Sequence, residues 1–385
     1  MAEELKIGIN TLFLIPGEVG GSETYLCETI KGILAHHPDV RLTLFTHQEN
    51  DSFLRALVGG PSSRVEFRLL PFRASNRYAR IIREQTELPL AVRRSGVDVL
   101  WSPGYTAPAL LRLPQAVSIL DMQYRSHPED FSMLARLTTD ALIKAAAQRC
   151  QCFLAISEFS GHEVQRYLRV PPALIHVTPL AAAGCFHPQP APDEQARRNR
   201  MAPFAAPYIL AVANSYPHKN LHELVRAFGR LEESIPHNLV LVGRARLGEP
   251  LLEAAAAALK QPGRIHRLSG LEPGDLAALY RGADLFCSPS VYEGFGLPIL
   301  EALASGTPVA VVRQAAVEEL CGKCASYAQS GGADDICKAT QAALAWSPAE
   351  RAAVVARGLE RAGRFSWCQT ARLTIEALRA LAARR

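Results

Sequence analysis

Short runs of Val, Ile and Leu recur along this chain, each followed by a longer segment of helical composition, and the series ends and then starts afresh. In the first half the runs fall at 5–10, 41–47, 65–70, 97–101, 116–120, 152–156 and 175–180. In the second half they fall at 208–213, 238–243, 265–268, 284–288 and 308–312. The most continuously apolar of them suit strands covered on both faces. Alternation of strand with helix predicts an α/β chain built from parallel, doubly wound sheets. A length of 385 residues exceeds one ordinary core. Between the two series lies His187-Pro-Gln-Pro-Ala-Pro-Asp-Glu-Gln-Ala-Arg-Arg-Asn-Arg200, proline-rich and polar, which reads as a linker over 188–204. Two tandem Rossmann-like domains follow, at 1–187 and 205–364, with a closing helix over 365–385 from its Ala, Leu and Arg content. Such sheets bind ligands beyond the carboxyl ends of their strands, so two of them facing across a cleft would place a site between them.

Composition narrows the class. Hydrophobic residues are 48% and charged residues 21%, a globular balance. Met1-Ala-Glu-Glu-Leu-Lys6 leads directly into an apolar run without the layout of a signal peptide. No apolar stretch reaches the ~18 residues of a membrane span. The expected location is therefore cytoplasmic, at most at the inner face of the membrane. Nine scattered cysteines read as free thiols in a reducing compartment. Cys321-Gly-Lys-Cys324 lacks the second ligand pair that a zinc site wants, so no metal is expected. The net charge of +5 is spread out except over 73–94, where Arg73, Arg77, Arg80, Arg83, Arg93 and Arg94 stand against Glu84 and Glu87. That excess reads either as a solvated helix face or as a patch for anionic lipid or a diphosphate-bearing acceptor. Interleaved aromatics are too few for a nucleic-acid groove.

The chemistry concentrates near residue 293. Asp284-Leu-Phe-Cys-Ser-Pro-Ser290 reads as a strand entering a turn, followed by Glu293, Gly294, Phe295, Gly296 and Leu297. Pro298 suits the first turn of a helix, and Ser305-Gly306 ends it. The glycines admit a close anion, and the helix start offers N–H groups and a positive dipole end. Glu301 reads either as a dipole-favoured surface residue or as a carboxylate for a ribose diol. Glu293 reads either as a loop charge or as a functional carboxylate that Tyr292 and Phe295 partly bury.

Glu293-Gly-Phe-Gly-Leu-Pro-Ile-Leu-Glu301 resembles the E-x7-E motif of the retaining family 4 glycosyltransferases, the group 1 glycosyltransferases of polysaccharide biosynthesis. The flanking Tyr280-Arg-Gly-Ala-Asp284 and Ala302-Leu-Ala-Ser-Gly-Thr-Pro308 resemble the family as well. The resemblance implies the GT-B fold, with the last helix crossing back onto the first domain. It assigns Glu293 to the donor sugar, Glu301 to the nucleotide ribose, and the loop amides Gly294 to Leu297 to sugar or diphosphate. Tyr208-Ile-Leu-Ala-Val-Ala-Asn-Ser-Tyr-Pro-His-Lys-Asn220 matches the segment whose lysine, here Lys219, holds the diphosphate, aided by His218. Gly20 and Gly21 match the glycine loop after the first strand, aimed at the diphosphate.

Two positions depart from the family. Asn214 stands where many relatives carry Arg, and Leu120-Asp121 replaces His-Asp, retaining Asp121 as the catalytic-side carboxylate. His127 is a weak substitute for the absent histidine. Ser157-Glu-Phe-Ser160 lines the acceptor side or caps a helix. No Asp-x-Asp occurs, so helix ends and Lys219 are expected to neutralise the diphosphate without metal or other cofactor. The expected reaction is retaining transfer of a hexosyl group, with mannosyl from GDP-mannose favoured, from a nucleotide sugar to a glycan or lipid-linked acceptor. A nucleotide-sugar epimerase and a non-catalytic nucleotide-binding relative are the alternatives.

Overall fold

The structure is a computed structural model that describes residues 4–201 and 207–384. Its chain divides into two compact units, Met1–Leu180 with Ser366–Arg385, and Ala181–Phe365.

The first unit holds seven parallel strands: β1 (Leu5–Asn10), β2 (Val40–His47), β3 (Val65–Leu70), β4 (Val99–Ser102), β5 (Gln115–Ile119), β6 (Cys152–Ala155) and β7 (Ile175–Val177). They lie in the order β3-β2-β1-β4-β5-β6-β7. Among its described residues the second unit holds six: β8 (Tyr208–Val212), β9 (Asn238–Val242), β10 (Ile265–Leu268), β11 (Leu285–Ser288), β12 (Val309–Val312) and β13 (Ala325–Ala328), in the order β10-β9-β8-β11-β12-β13. Every strand run expected from the sequence is present within three residues at either end. The central ones are buried along their whole length, as β4, β5, β9 and β12 show, because helices cover both faces of a parallel sheet. β13 was not expected: Ala-Ser-Tyr-Ala is small and half-polar, as an edge strand tolerates.

Strand order reverses between β1 and β4 in one unit and between β8 and β11 in the other. Loops leaving the carboxyl ends of those four strands flank the crevice where doubly wound sheets take ligands.

The closing helix, Trp367–Ala382, is built into the first unit. Gly32 makes this possible. A Cβ there would stand 2.9 Å from both the Ala371 Cβ and the Trp367 carbonyl oxygen, so only a glycine lets the helix Gly21–His36 approach so closely. Ser366 caps the closing helix by accepting from the Gln369 N–H at 3.1 Å, and Thr370 donates to the Pro179 carbonyl at 2.5 Å.

The stretch read as a linker is more ordered than its composition suggests. Glu194–Met201 is a helix, and Glu194 accepts a forked pair of bonds from Arg281 on the helix Pro273–Gly282, Nε to Oε2 at 2.8 Å and Nη2 to Oε2 at 2.5 Å. Both side chains are more than nine-tenths buried. Arg281 Nη1 donates to the Cys185 and His187 carbonyls, which adds to the pair's hydrogen bonding. Removing either partner would leave the other buried alone. Residues 202–204 of the expected linker lie outside the described residues.

Candidate nucleotide-sugar half-site in the second unit

β11 ends at Ser288, and the chain turns through Pro289 to Gly296 before entering the helix Leu297–Ala304. Gly296 has φ 95°, which an L side chain strains to adopt, and a Cβ there would crowd Ile299 at 3.1 Å. As N-cap it brings no side-chain oxygen to the helix's first amides, and Pro298 sits in the first turn. Those amides and the dipole end suit an anion.

Across the switch point, the loop after β8 closes in a short turn, Pro217–Lys219, and Asn220 follows at φ 58°. Asparagine tolerates that left-handed backbone. Its side chain also donates to the Pro289 carbonyl at 3.1 Å and the Gly331 carbonyl at 2.8 Å. The Val291 N–H donates to the buried His218's carbonyl at 2.9 Å. The two loops are thereby stitched together, and Lys219 Nζ comes within 2.7 Å of Glu293 Oε1. Both side chains are mostly buried yet reach solvent. Sequence reading assigned both residues to the donor but did not foresee their ion pair.

Gln314 was also missed. Its Oε1 accepts the Glu293 N–H at 2.8 Å and its Nε2 donates to the Ser290 carbonyl at 2.9 Å, bracing the turn that aims Glu293. No motif read from the sequence includes it, so only the fold reveals it.

Glu301 is not a solvated surface residue. Burial pushes its carboxyl up to about 8, while the Tyr280 hydroxyl, donating at 3.0 Å, opposes the rise. Tyr280 is buried between the rings of Phe186 and Phe286. A carboxylate held so, one helical turn inside the glycine cap, has few partners besides that phenol.

Asn214 spends its Oδ1 on the Arg244 N–H at 2.8 Å. That bond joins the loop after β8 to the loop after β9, as do Ser215 N–H to Arg244 O at 3.1 Å and Gly248 N–H to Ser215 O at 2.7 Å. Gly243 permits the join: its φ is 152°, and a Cβ would lie 2.0 Å from the Ala213 carbonyl oxygen. Arg244 and Arg246 follow directly on that join. The sequence signal was Gly243-Arg-Ala-Arg246, unread because no motif covers it.

The remaining expected residues lie in the first unit. Gly20, at φ 57°, precedes the helix that Gly21 opens, and neither would meet an atom within 4 Å if given a Cβ. Glu23 accepts the Gly17 N–H at 2.6 Å and closes that loop. Asp121 accepts the Tyr105 hydroxyl at 2.9 Å and the Gln123 N–H at 3.1 Å. Tyr105 has φ 70°, rare and strained for a bulky residue. Leu120, in place of histidine, is buried, and its carbonyl accepts the Ser160 hydroxyl at 2.8 Å. Ser157 caps the helix Glu158–Leu168. His127 bonds Glu129 at 3.0 Å. Among the described residues no cluster of three His, Cys, Asp or Glu side chains is disposed to hold a metal.

The chain matches the profile described as Glycosyltransferase Family 4 over residues 19–181 and that described as Glycosyl transferases group 1 over residues 193–326. It is 33% identical over 238 residues to an MMP alpha-(1->4)-mannosyltransferase of Mycolicibacterium hassiacum, covering 60% of this chain and 54% of that one. It is 30% identical over 233 residues to the O-antigen chain mannosyltransferase B of Escherichia coli, covering 59% and 60%. The chain thus spans little more than half the length of these curated relatives. Among solved structures, it resembles a sucrose-phosphate synthase from Thermosynechococcus elongatus with TM-score 0.76 at 18% identity, covering 99% and 100% of the two chains. HepE from Anabaena, solved with UDP-glucose, gives TM-score 0.76 at 17% identity, covering 98% and 100%. These likenesses establish the fold, two Rossmann-like units of the kind found in GT-B glycosyltransferases. With the two profiles matching most of its length between them, the chain belongs to the group 1, family 4 glycosyltransferases.

Proposed function

We propose that the chain is a retaining glycosyltransferase that moves a hexosyl group from a nucleotide-diphosphate sugar to a glycan or lipid-linked oligosaccharide. The observation that carries this reading is the paired Lys219 and Glu293 at the switch point of the second unit, beside a glycine-capped helix start and eight positions before Glu301. In it, Lys219 and the amides of the 294–297 turn meet the diphosphate, neutralising charge as the nucleoside diphosphate departs. Glu293 orients the sugar hydroxyls, and Glu301 accepts from the ribose diol. No metal is assigned a part: a chelator is predicted to leave the rate unchanged, and strong inhibition would contradict that.

Mannose is the favoured sugar because curated relatives are named mannosyltransferases. A lipid-bound acceptor is favoured by one surface of the first unit. Tyr78 and Ile82 are 62% and 60% exposed, and Met133, Leu134 and Leu137 are 72%, 61% and 55% exposed. Arg77 ties their two helices together through Thr139 Oγ1 at 2.9 Å. An exposed apolar patch with a basic rim suits an anionic bilayer surface.

The test is transfer by Glu293→Ala. Loss of ~10²-fold or more in rate is expected, on the scale of removing one transition-state contact, with the fold intact because an ion pair still open to solvent contributes about 1 kcal/mol or less. Undiminished transfer would sink the assignment. A product assay with donor alone would expose an epimerase instead.

A further inference from the structure

The arginines of 73–94 do not form one patch. Arg83 pairs with Glu87 and Arg80 lies against Glu84. Arg93, at the far end of the same helix Arg77–Ser95, lines a basin of about 830 Å³ at the amino ends of β4 to β7. That is the opposite end of the strands from the glycine loop and Asp121. Arg112, Arg149 and Arg384 line it as well, and among the described residues no Asp or Glu does.

Three of these arginines sit at helix ends: Arg93 on Arg77–Ser95, Arg149 on Met133–Arg149, and Arg384 just past Trp367–Ala382. Cations are favoured there by the negative end of the helix dipole. That effect accounts for only part of the charge, because about half a unit per helix leaves roughly +2.5 of the four positive charges uncompensated. Arg112 lies on a loop and answers to no helix end. Arg149 Nε is spent on the Leu111 carbonyl at 2.6 Å, which fixes its guanidinium. Among the described residues none of the four forms an ion pair.

A second basin of the same unit, about 500 Å³, supplies the contrast. Its arginines are all committed: Arg41 to Glu4, Arg55 to Asp51, and Arg64 to the Leu34, His37 and Val40 carbonyls. Among the described residues, of the larger basin's four arginines only Arg149 is held in this way, through Nε. Guanidinium groups match phosphate oxygens in geometry and charge, and the volume is that of a small-molecule site.

We infer that the basin lined by Arg93, Arg112, Arg149 and Arg384 binds a phosphate ester, at a site separate from the nucleotide-sugar half-site. The inference stands whether or not the transferase reading does. The test is calorimetric titration of the full chain with inorganic pyrophosphate on a Lys219→Ala background, which removes the second unit's own diphosphate ligand. Binding is expected there, and Arg93→Glu with Arg112→Glu should weaken it at least tenfold. Both side chains are exposed, and should either reversal disturb folding by circular dichroism, the Arg→Gln pair at the same positions serves instead. A parallel arm measures sedimentation with phosphatidylglycerol vesicles. Loss of vesicle binding in the Arg93/Arg112 variant, but not in Ile82→Asp, assigns the phosphate to a lipid headgroup. Loss of pyrophosphate binding alone assigns it to a soluble ester. If neither arm changes, the inference is overturned.

Discussion

The two units share one sheet plan, with the same order reversal and the same crevice, yet their strand ends differ in character. In the second unit the crevice loops carry an ion pair, Lys219 on Glu293, with Gln314 bracing the turn and the Tyr280 hydroxyl bonded to Glu301. In the first unit the corresponding edge carries an open glycine loop and polar groups already satisfied. Buried Glu84 accepts from Asn10 at 2.8 Å and from Thr106 at 2.9 Å, and Asp121 accepts from Tyr105. The fold supplies a place for a ligand twice over, and the side chains decide what each place can hold.

The sharpest way to break this contrast is through glycine. Gly243→Ala should drive a Cβ into the Ala213 carbonyl and separate the stitched loops of the second unit. A cost on the order of 3 kcal/mol is expected, seen as a melting-temperature drop of roughly 6–12 °C. Gly21→Ala, with open space around it, should cost less than about 1 kcal/mol. Equal effects would show that the two edges are built alike.

Glu301 gives the next largest effect. Between the ordinary carboxyl value of 4.5 and about 8, the folded chain keeps a proton that the unfolded chain has released. This group's contribution to stability therefore falls as pH rises across that window and is level above it. Ribose hydroxyls favour the ionised carboxylate, so nucleoside diphosphate binding at pH 7.5 should release a proton. Titration in buffers of different ionisation enthalpy reads that release. Glu301→Gln should abolish it and weaken binding about tenfold, or about 1.4 kcal/mol. Proton release that persists in the variant would assign the titration elsewhere.

Gln314→Ala should be the mildest. Losing the two bonds that brace Glu293 is expected to cost about 1 kcal/mol of stability. The rate should fall about tenfold with donor affinity kept, since Glu293 is still present but less well aimed. A loss of donor affinity without a loss of rate would give Gln314 a direct ligand role instead.

The sheets were legible because parallel strands buried on both faces announce themselves as apolar runs. β13 was not, because an edge strand of Ala, Ser and Tyr carries no such signal. The helix Glu194–Met201 hid in a polar, proline-flanked stretch. What orders it is Arg281, 87 residues away, a contact that local composition does not encode. The ionisable residues of the candidate site, Lys219, Glu293 and Glu301, were legible one by one. Their arrangement was not, since Lys219 meets Glu293 across 74 residues. Asn214 and Leu120 read as departures from a pattern, and their present uses, bonding the Arg244 amide and packing in the core, come from neighbours that pattern matching does not consult. That the arginine excess at 73–94 divides was not legible, because the length of the helix Arg77–Ser95 separates Arg77 beside Thr139 from Arg93 at the amino ends of β4 to β7.

The central claim is that the nucleotide half of the donor is held by the second unit. Thermal unfolding with and without GDP and UDP tests it most directly, because a ligand at 100 times its dissociation constant stabilises by about 2.7 kcal/mol. At least one of the two should raise the melting temperature of the wild-type chain and of Asp121→Asn. The Lys219→Ala, Glu301→Gln double variant should show no rise. An undiminished rise in that double variant would contradict the claim.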